Sequence, residues 1–167
     1  MTGSDPELAR YRLAAQVLAG LAAADATLAT AESLTGGLLA ATVTSVPGAS
    51  ACYRGGIVAY ATDVKHRLLD VPEEVLQAHG AVSAETAEAM AAGAREALGS
   101  THGVATTGVA GPDLQEGKPV GLVYVAVAGP RGTSSSRHRL AGERAVVRAD
   151  AVGAALDFLL SELTRST

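Results

Sequence analysis

A polar, glycine-rich segment, Glu32-Ser33-Leu34-Thr35-Gly36-Gly37, follows directly after the short apolar run from Thr27 to Ala31. A loop of this kind, placed between a strand and a helix, offers hydroxyl and N–H groups to an anion, because the start of a helix favours negative charge. Gly36 and Gly37 allow a ligand to approach the backbone closely, since neither carries a Cβ atom. The segment therefore predicts an anion-binding loop. The alternative is that Thr35 caps the next helix and the glycines shape a turn.

Three apolar runs, ending at Ala31, Tyr60 and Thr107, are each followed by polar or glycine-rich sequence. In α/β sheets, ligands bind beyond the carboxyl ends of the strands, so we expect these three loops to meet. The hydroxyl and amine groups that they and the turn between the first two runs provide are Ser33, Thr35, Tyr60, Lys65, Thr107 and Ser50. A serine beside a neutral lysine amine can attack an amide carbonyl, so this set indicates acyl transfer. The alternative is a group of ordinary loop hydroxyls.

Lysine is rare in this chain: of 13 lysine and arginine residues, only Lys65 and Lys118 are lysines. Lys65 lies just beyond the second apolar run. An amine can lose its proton when burial lowers its pKa, whereas a guanidinium stays charged, so a lysine kept among arginines is a candidate general base. The alternative is that both lysines are remnants of a compositional bias.

Composition and spacing argue against several other functions. The net charge is −4 and only 3% of the residues are aromatic, which is poor material for binding nucleic acid. Gly111 to Lys118 is not a phosphate-binding P-loop, because five residues separate the two glycines and Pro119 replaces the Ser or Thr that would hold magnesium. None of the four histidines has a second histidine one helical turn away, so we expect neither a zinc site nor a metal cofactor.

The 167 residues are expected to form one domain, over 1–167, that needs no disulfide, because Cys52 is the only cysteine. No apolar stretch is long enough for a membrane helix, and the charged N-terminus does not resemble a signal peptide. We therefore expect a soluble, cytoplasmic protein that acts on a small molecule, without a nucleic-acid or membrane partner. A homo-oligomer is compatible with these features.

Helical and strand patterns alternate through the first two-thirds of the chain, and a hairpin follows. This order predicts an α/β fold: a single domain with a mixed β-sheet covered by helices. Strands are predicted at 27–31, 56–60, 104–107, 120–127 and 133–140. Helices are predicted after a cap at Ser4 or Asp5 with Pro6 at the first helical position, at 36–44, 62–69 and 72–77, from the cap at Ser83 to Gly99, and at 143–163.

Several ordered motifs closely resemble the CinA C-terminal domain family, and the resemblance covers about residues 8–163. They are Thr30 to Gly37, Val46-Pro47-Gly48-Ala49-Ser50, Arg54 to Tyr60, Lys65, His79-Gly80-Ala81-Val82-Ser83, Thr107 to Pro112, Lys118-Pro119-Val120-Gly121 and Gly142-Glu143-Arg144. The resemblance is to the stand-alone nicotinamide-nucleotide amidases rather than to larger members with a preceding molybdopterin-like domain. It implies hydrolysis of nicotinamide mononucleotide, a pyridine mononucleotide, to nicotinate mononucleotide and ammonia in pyridine-nucleotide salvage. The alternative is a nucleotide-binding or regulatory module of the same fold without efficient turnover.

Family members are described as serine and lysine amidases that need no cofactor. The resemblance therefore implies Ser50 and Lys65 as the reactive groups, with Ser33, Tyr60, Thr107 and Arg144 in the site. Ser33 is the alternative catalytic serine. We expect Ser50 to be the nucleophile, because the glycine-rich loop around Ser33 suits a phosphate or an oxyanion better. Two features depart from the family pattern. The loop Asp113-Leu114-Gln115-Glu116-Gly117 is shorter and poorer in glycine, and Leu34 and Leu122 replace the more common Cys and Thr.

Overall fold

The computed structural model describes residues 5–165. In this range the α-helices are α1 (Pro6–Ala23), α2 (Leu38–Thr44), α3 (Thr62–Leu69), α4 (Glu73–His79), α5 (Ala84–Ala97) and α6 (Arg144–Thr164). The strands are β1 (Leu28–Glu32), β2 (Tyr53–Val58), β3 (His102–Gly108), β4 (Leu122–Gly129) and β5 (Gly132–Arg139). A short 3₁₀ helix, Ala49–Ala51, precedes β2. The predicted α/β fold, a single domain with a mixed sheet and flanking helices, is confirmed.

The five strands form one sheet in the order β2-β1-β3-β4-β5. Strands β1, β2 and β3 are parallel, whereas β4 and β5 are antiparallel to their neighbours. The chain leaves β1 toward β2 on one side and returns to β3 on the other side. The carboxyl ends of β1 and β3 therefore flank a topological switch point, where α/β proteins bind their ligands.

The two faces of the sheet are covered differently. Valines from β4 point toward α1, α2 and α6 and form part of a core with Leu21, Leu156 and Leu159. The opposite face is lined mainly by alanines and packs against α3 and α5. At Gly103 in β3, a Cβ atom would overlap the backbone carbonyl of Ala91 in α5. The small residues on this face thus let α5 pack very close to the sheet.

Local sequence explains several element ends. The Asp5 side chain accepts a hydrogen bond from the Glu7 N–H (3.0 Å) and caps α1, with Pro6 at its first position, as predicted. Ser4, the other predicted cap, lies outside the described residues. Ser83 accepts from the Thr86 N–H (3.1 Å) and caps α5, also as predicted. Strand β2 differs: it begins at Tyr53, three residues before the predicted start, and ends at Val58, so Tyr60 lies beyond it.

Among the described residues, no helix has the length and apolar character needed to cross a membrane.

Candidate active site

Ser33 is held at the centre of the switch point. It is the first residue after β1, and its N–H donates to the carbonyl of Thr106 in β3 (3.0 Å), which continues the sheet pairing by one residue. The side chain is 8% exposed, and its Oγ atom lies 2.9 Å from the Nζ atom of Lys65. Strand β1 and its neighbour therefore fix the position of this hydroxyl.

Lys65 lies behind Ser33, and only 1% of it is exposed. It is on α3, and its Nζ atom donates to the carbonyls of Ala59 (2.9 Å) and Tyr60 (3.1 Å) as well as to Ser33 Oγ. These three acceptors satisfy the three N–H bonds of a charged amine. When the amine is neutral, the two carbonyls can only accept, so they keep two N–H bonds. The Ser33 hydroxyl is then the one partner of the three that can donate a proton to the nitrogen lone pair.

Burial favours the neutral form of this amine. It lowers the pKa of Lys65 from 10.5 to about 8, while the negative charge of Glu116 acts in the opposite direction. A lysine with this pKa is partly neutral near physiological pH, which a general base requires.

A pocket of about 330 Å³ opens in front of Ser33. Its walls come from the ends of β1, β2 and β3 and from the start of α6. The lining residues are Ser33, Leu34, Tyr60, residues 108–115 and Arg144. Lys65 does not line the pocket itself, because Ser33 lies between its amine and the open space. The arrangement places a hydroxyl at the wall of the pocket and an amine behind that hydroxyl.

Arg144 and Tyr60 meet at the mouth of this pocket. Both side chains are exposed, and Arg144 donates to the Tyr60 hydroxyl (2.9 Å) and to the carbonyl of Gly111 (2.7 Å). A guanidinium has five N–H bonds, so further donors remain for an anion. The structure thus places Tyr60 and Arg144 at the pocket and Lys65 behind its Ser33 wall.

Ser50 is not brought to Lys65, contrary to our expectation. It is exposed on the 3₁₀ helix that precedes β2, whereas Lys65 follows the carboxyl end of the same strand. Because β2 has six residues, its two ends are about 20 Å apart. Ser50 therefore lies at the opposite edge of the sheet, and the serine beside the amine is Ser33.

The glycine-rich loop also differs from its predicted role. The carboxylate of Glu32, 1% exposed, accepts from the N–H groups of Leu39 (2.8 Å) and Ala40 (3.1 Å). These are donors in the first turn of α2, so a protein carboxylate occupies the place predicted for an anion. Gly37 has φ of +101° at the N-cap and Gly36 is exposed, but neither lines the pocket. The two glycines therefore shape the turn, as the alternative interpretation held, but the N-cap of α2 is Gly37 and not Thr35.

Two threonines predicted to line the site, Thr35 and Thr107, instead form hydrogen bonds with other parts of the protein. Thr35 is buried, and its hydroxyl donates to Glu32 (2.7 Å) and bonds Thr106 (2.8 Å). Thr107 is 1% exposed and donates to the carbonyl of Ala81 (2.6 Å), so the pocket begins at Gly108 instead. Both hydroxyls support the loops around the site rather than face the cavity.

Three side chains near the site make contacts that the sequence did not predict. Arg148 in α6 donates to the carbonyls of Leu34 and Thr35 (both 2.9 Å) and ties the Ser33 loop to that helix. Glu116 and Lys118 bond to the segment ahead of α5. The rarity of lysine pointed to Lys118, but nothing in the sequence identified its partners.

The described residues contain no group of three or more His, Cys, Asp or Glu side chains placed to hold a metal ion. His66 bonds the carbonyl of Val71 (2.8 Å), and His102 bonds Thr101 (3.0 Å). Both bonds join residues that are close together in the sequence.

The fold is an α/β domain in which a buried serine and lysine are in contact at a strand switch point. The chain belongs to the CinA C-terminal domain family, whose model matches residues 10–163.

Named relatives agree with this assignment. The chain is 58% identical to a CinA-like protein of Frankia casuarinae, over 86% of this chain and 33% of the relative. It is 53% identical to a putative competence-damage inducible protein of Desulforamulus reducens, over 78% of this chain and 32% of the relative. The chain thus spans about a third of the length of these curated relatives.

Solved structures match over nearly their whole length. A competence-damaged protein (CinA) superfamily protein from Klebsiella pneumoniae is 33% identical with a TM-score of 0.90, covering 93% of this chain and 98% of that one. A competence/damage inducible protein from Agrobacterium tumefaciens is 36% identical with a TM-score of 0.88, covering 93% of this chain and 96% of that one.

Proposed function

We propose that this chain hydrolyses the carboxamide of nicotinamide mononucleotide to nicotinate mononucleotide and ammonia, with Ser33 as nucleophile and Lys65 as general base. The observation that carries the proposal is the 2.9 Å contact between Lys65 Nζ and Ser33 Oγ, made by an amine whose other two partners are carbonyls. The family resemblance supplies the substrate. The pocket of about 330 Å³ in front of Ser33 supports a ligand of nucleotide size.

The first half of the reaction forms an ester. Ser33 Oγ attacks the carboxamide carbon while its proton moves to the neutral Lys65 amine. The protonated amine then gives a proton to the leaving nitrogen, the C–N bond breaks, and ammonia departs. An ester of Ser33 with the carboxyl group of nicotinate mononucleotide remains, and Lys65 is again neutral.

The second half removes the acyl group. A water molecule gives its proton to Lys65 as its oxygen attacks the ester carbon. The C–Oγ bond then breaks and Ser33 regains a proton from Lys65. The product is nicotinate mononucleotide, so the whole cycle consumes one water and releases one ammonia without any oxidant or reductant.

This mechanism predicts that kcat depends on pH in a way that can be measured. Because Lys65 acts as a base only when neutral, kcat should rise about tenfold per pH unit below the Lys65 pKa of about 8 and level off above it. The measurement is ammonia release at saturating substrate across this range. A profile that stays flat on both sides of pH 8 would contradict the base assignment.

Arg144 is proposed to bind the substrate phosphate at the mouth of the pocket, because guanidinium matches phosphate oxygens in a bidentate geometry. Replacing Arg144 with Ala should raise KM for nicotinamide mononucleotide by roughly 10- to 100-fold, the loss typical of a charged hydrogen bond. The nucleoside that lacks the phosphate should be little affected, since it has no partner to lose.

The control is Arg12→Ala, which removes an exposed arginine of α1. It should leave both substrates unchanged. An equal loss on the nucleotide and the nucleoside in Arg144→Ala would rule out the phosphate role.

A further inference from the structure

One wall of the pocket is an irregular, exposed loop. Residues 111–115 line the cavity and belong to the connection between β3 and β4. Leu114 is 66% exposed, and the regular pairing within this loop is a single bridge between Gln115 and Lys118. The loop therefore buries little apolar surface of its own, and its position must come from other contacts.

Two charged side chains at the end of this loop bond to the segment between α4 and α5. The carboxylate of Glu116 accepts from the N–H groups of Ala81 (2.9 Å) and Val82 (3.4 Å). The amine of Lys118 donates to the carbonyls of His79 (2.7 Å) and Val82 (2.5 Å). We refer to Glu116 and Lys118 together as the loop clamp. Glu116 bonds backbone N–H groups and Lys118 bonds backbone carbonyls. The loop clamp therefore fixes both the distance and the orientation of the loop relative to residues 79–82.

The segment that receives these bonds is itself fixed. Ala81 and Val82 are each 1% exposed, and the carbonyl of Ala81 accepts from Thr107 at the end of β3 (2.6 Å). The carbonyl of Gly80 accepts from Thr86 in α5 (2.6 Å). The loop clamp therefore ties an exposed wall to the core of the domain.

Gly80 makes the close approach possible. Its φ is +77°, and a Cβ atom there would overlap the carboxylate of Glu116. A larger residue would both strain the backbone and push the carboxylate away from the two N–H groups.

Glu116 is charged under the conditions of the reaction. Burial by itself raises the pKa of this carboxyl, but the N–H bonds from Ala81 and Val82 and the nearby Lys118 outweigh it, so the pKa lies below its usual value.

We propose that Glu116 and Lys118 are positioning residues, which hold the wall formed by residues 113–115 in place and so set the affinity of the pocket for its nucleotide. They do not touch the reacting atoms: the loop clamp reaches the backbone of 79–82, whereas the reacting hydroxyl is on Ser33. This inference rests on the proposed function for the identity of the nucleotide. The contacts made by the loop clamp do not depend on turnover.

The test compares Glu116→Gln and Lys118→Met with Glu74→Gln, which removes an exposed carboxylate from the first turn of α4. Affinity for nicotinamide mononucleotide is measured by calorimetry in a Ser33→Ala background, where the ligand stays intact. Both clamp variants should weaken binding by about tenfold or more, since a small misplacement of a binding wall has effects of this size. Glu74→Gln should bind like the background.

Turnover is measured separately, with Ser33 intact and at a pH above the Lys65 pKa, so that the charge of Glu116 does not alter the fraction of neutral amine. There kcat should stay within about threefold of wild type while KM rises. Amide hydrogen exchange at Ala81 and Val82 should accelerate in Glu116→Gln, as these N–H groups lose an acceptor.

Unchanged affinity, or a fall in kcat with unchanged KM, would overturn the positioning role. Absence of ammonia release from the wild-type protein would instead contradict the proposed function. The calorimetric and exchange comparisons would still decide on the loop clamp.

Discussion

Replacing Lys65 with Arg is expected to lower kcat by roughly 10²- to 10⁴-fold, the range of a positioned general base. Arginine keeps the positive charge and can donate to the same carbonyls, but it does not lose its proton near neutral pH. The Ser33 hydroxyl would then have no acceptor for its proton. The measurement is ammonia release at saturating nicotinamide mononucleotide, together with a thermal melt to show that the fold survives.

Two further variants make this result interpretable. Lys65→Met has a similar length, fits a site where the side chain is 1% exposed, and carries no amine, so it should be as inactive as Lys65→Arg. Arg67→Lys changes an exposed residue of the same helix and should behave like wild type. Near wild-type turnover in Lys65→Arg would show that another group takes the proton.

Ser33→Ala is expected to reduce turnover by roughly 10⁴- to 10⁶-fold, because it removes the atom that forms the ester. It should also prevent any acyl-enzyme from forming. Ser50→Ala is the matched control: it makes the same change in an exposed serine at the other edge of the sheet and should leave kcat unchanged.

Rapid acid quenching and peptide mass analysis would locate a trapped adduct that carries the acyl group of nicotinate mononucleotide. The geometry predicts it on the peptide that contains Ser33. An adduct on Ser50, or loss of activity in Ser50→Ala with the fold intact, would restore the assignment that the sequence favoured.

The general position of the site could be predicted from the sequence, because parallel strands present their carboxyl ends at one edge. Ser33 and Tyr60 both follow such ends, and the structure places them around one pocket. Ser50 was assigned wrongly to that edge, although it precedes both the strand predicted at 56–60 and the observed strand β2, which begins at Tyr53. A motif shared with a family does not by itself indicate which end of a strand a residue occupies.

Other features depend on contacts between distant parts of the chain. The sequence suggested that the first turn of α2 would bind an anion, and it does receive a carboxylate, but that carboxylate is Glu32. Thr107 and Ala81 are 26 residues apart, and Lys118 and Val82 are 36 apart. No periodicity or cap signal reports such pairings, so the loop clamp required the three-dimensional structure.

The most direct test of the central claim is a single assay of ammonia released from nicotinamide mononucleotide. The purified protein is compared with Lys65→Ala at a pH above 8, where the Lys65 amine of the wild type is mostly neutral. For a serine–lysine amidase, the wild type should release stoichiometric ammonia and nicotinate mononucleotide, and the variant almost none. Equal ammonia from both proteins would contradict Lys65 as the general base. No ammonia from either protein, while the nucleotide still binds, would contradict a serine–lysine amidase and favour a nucleotide-binding module.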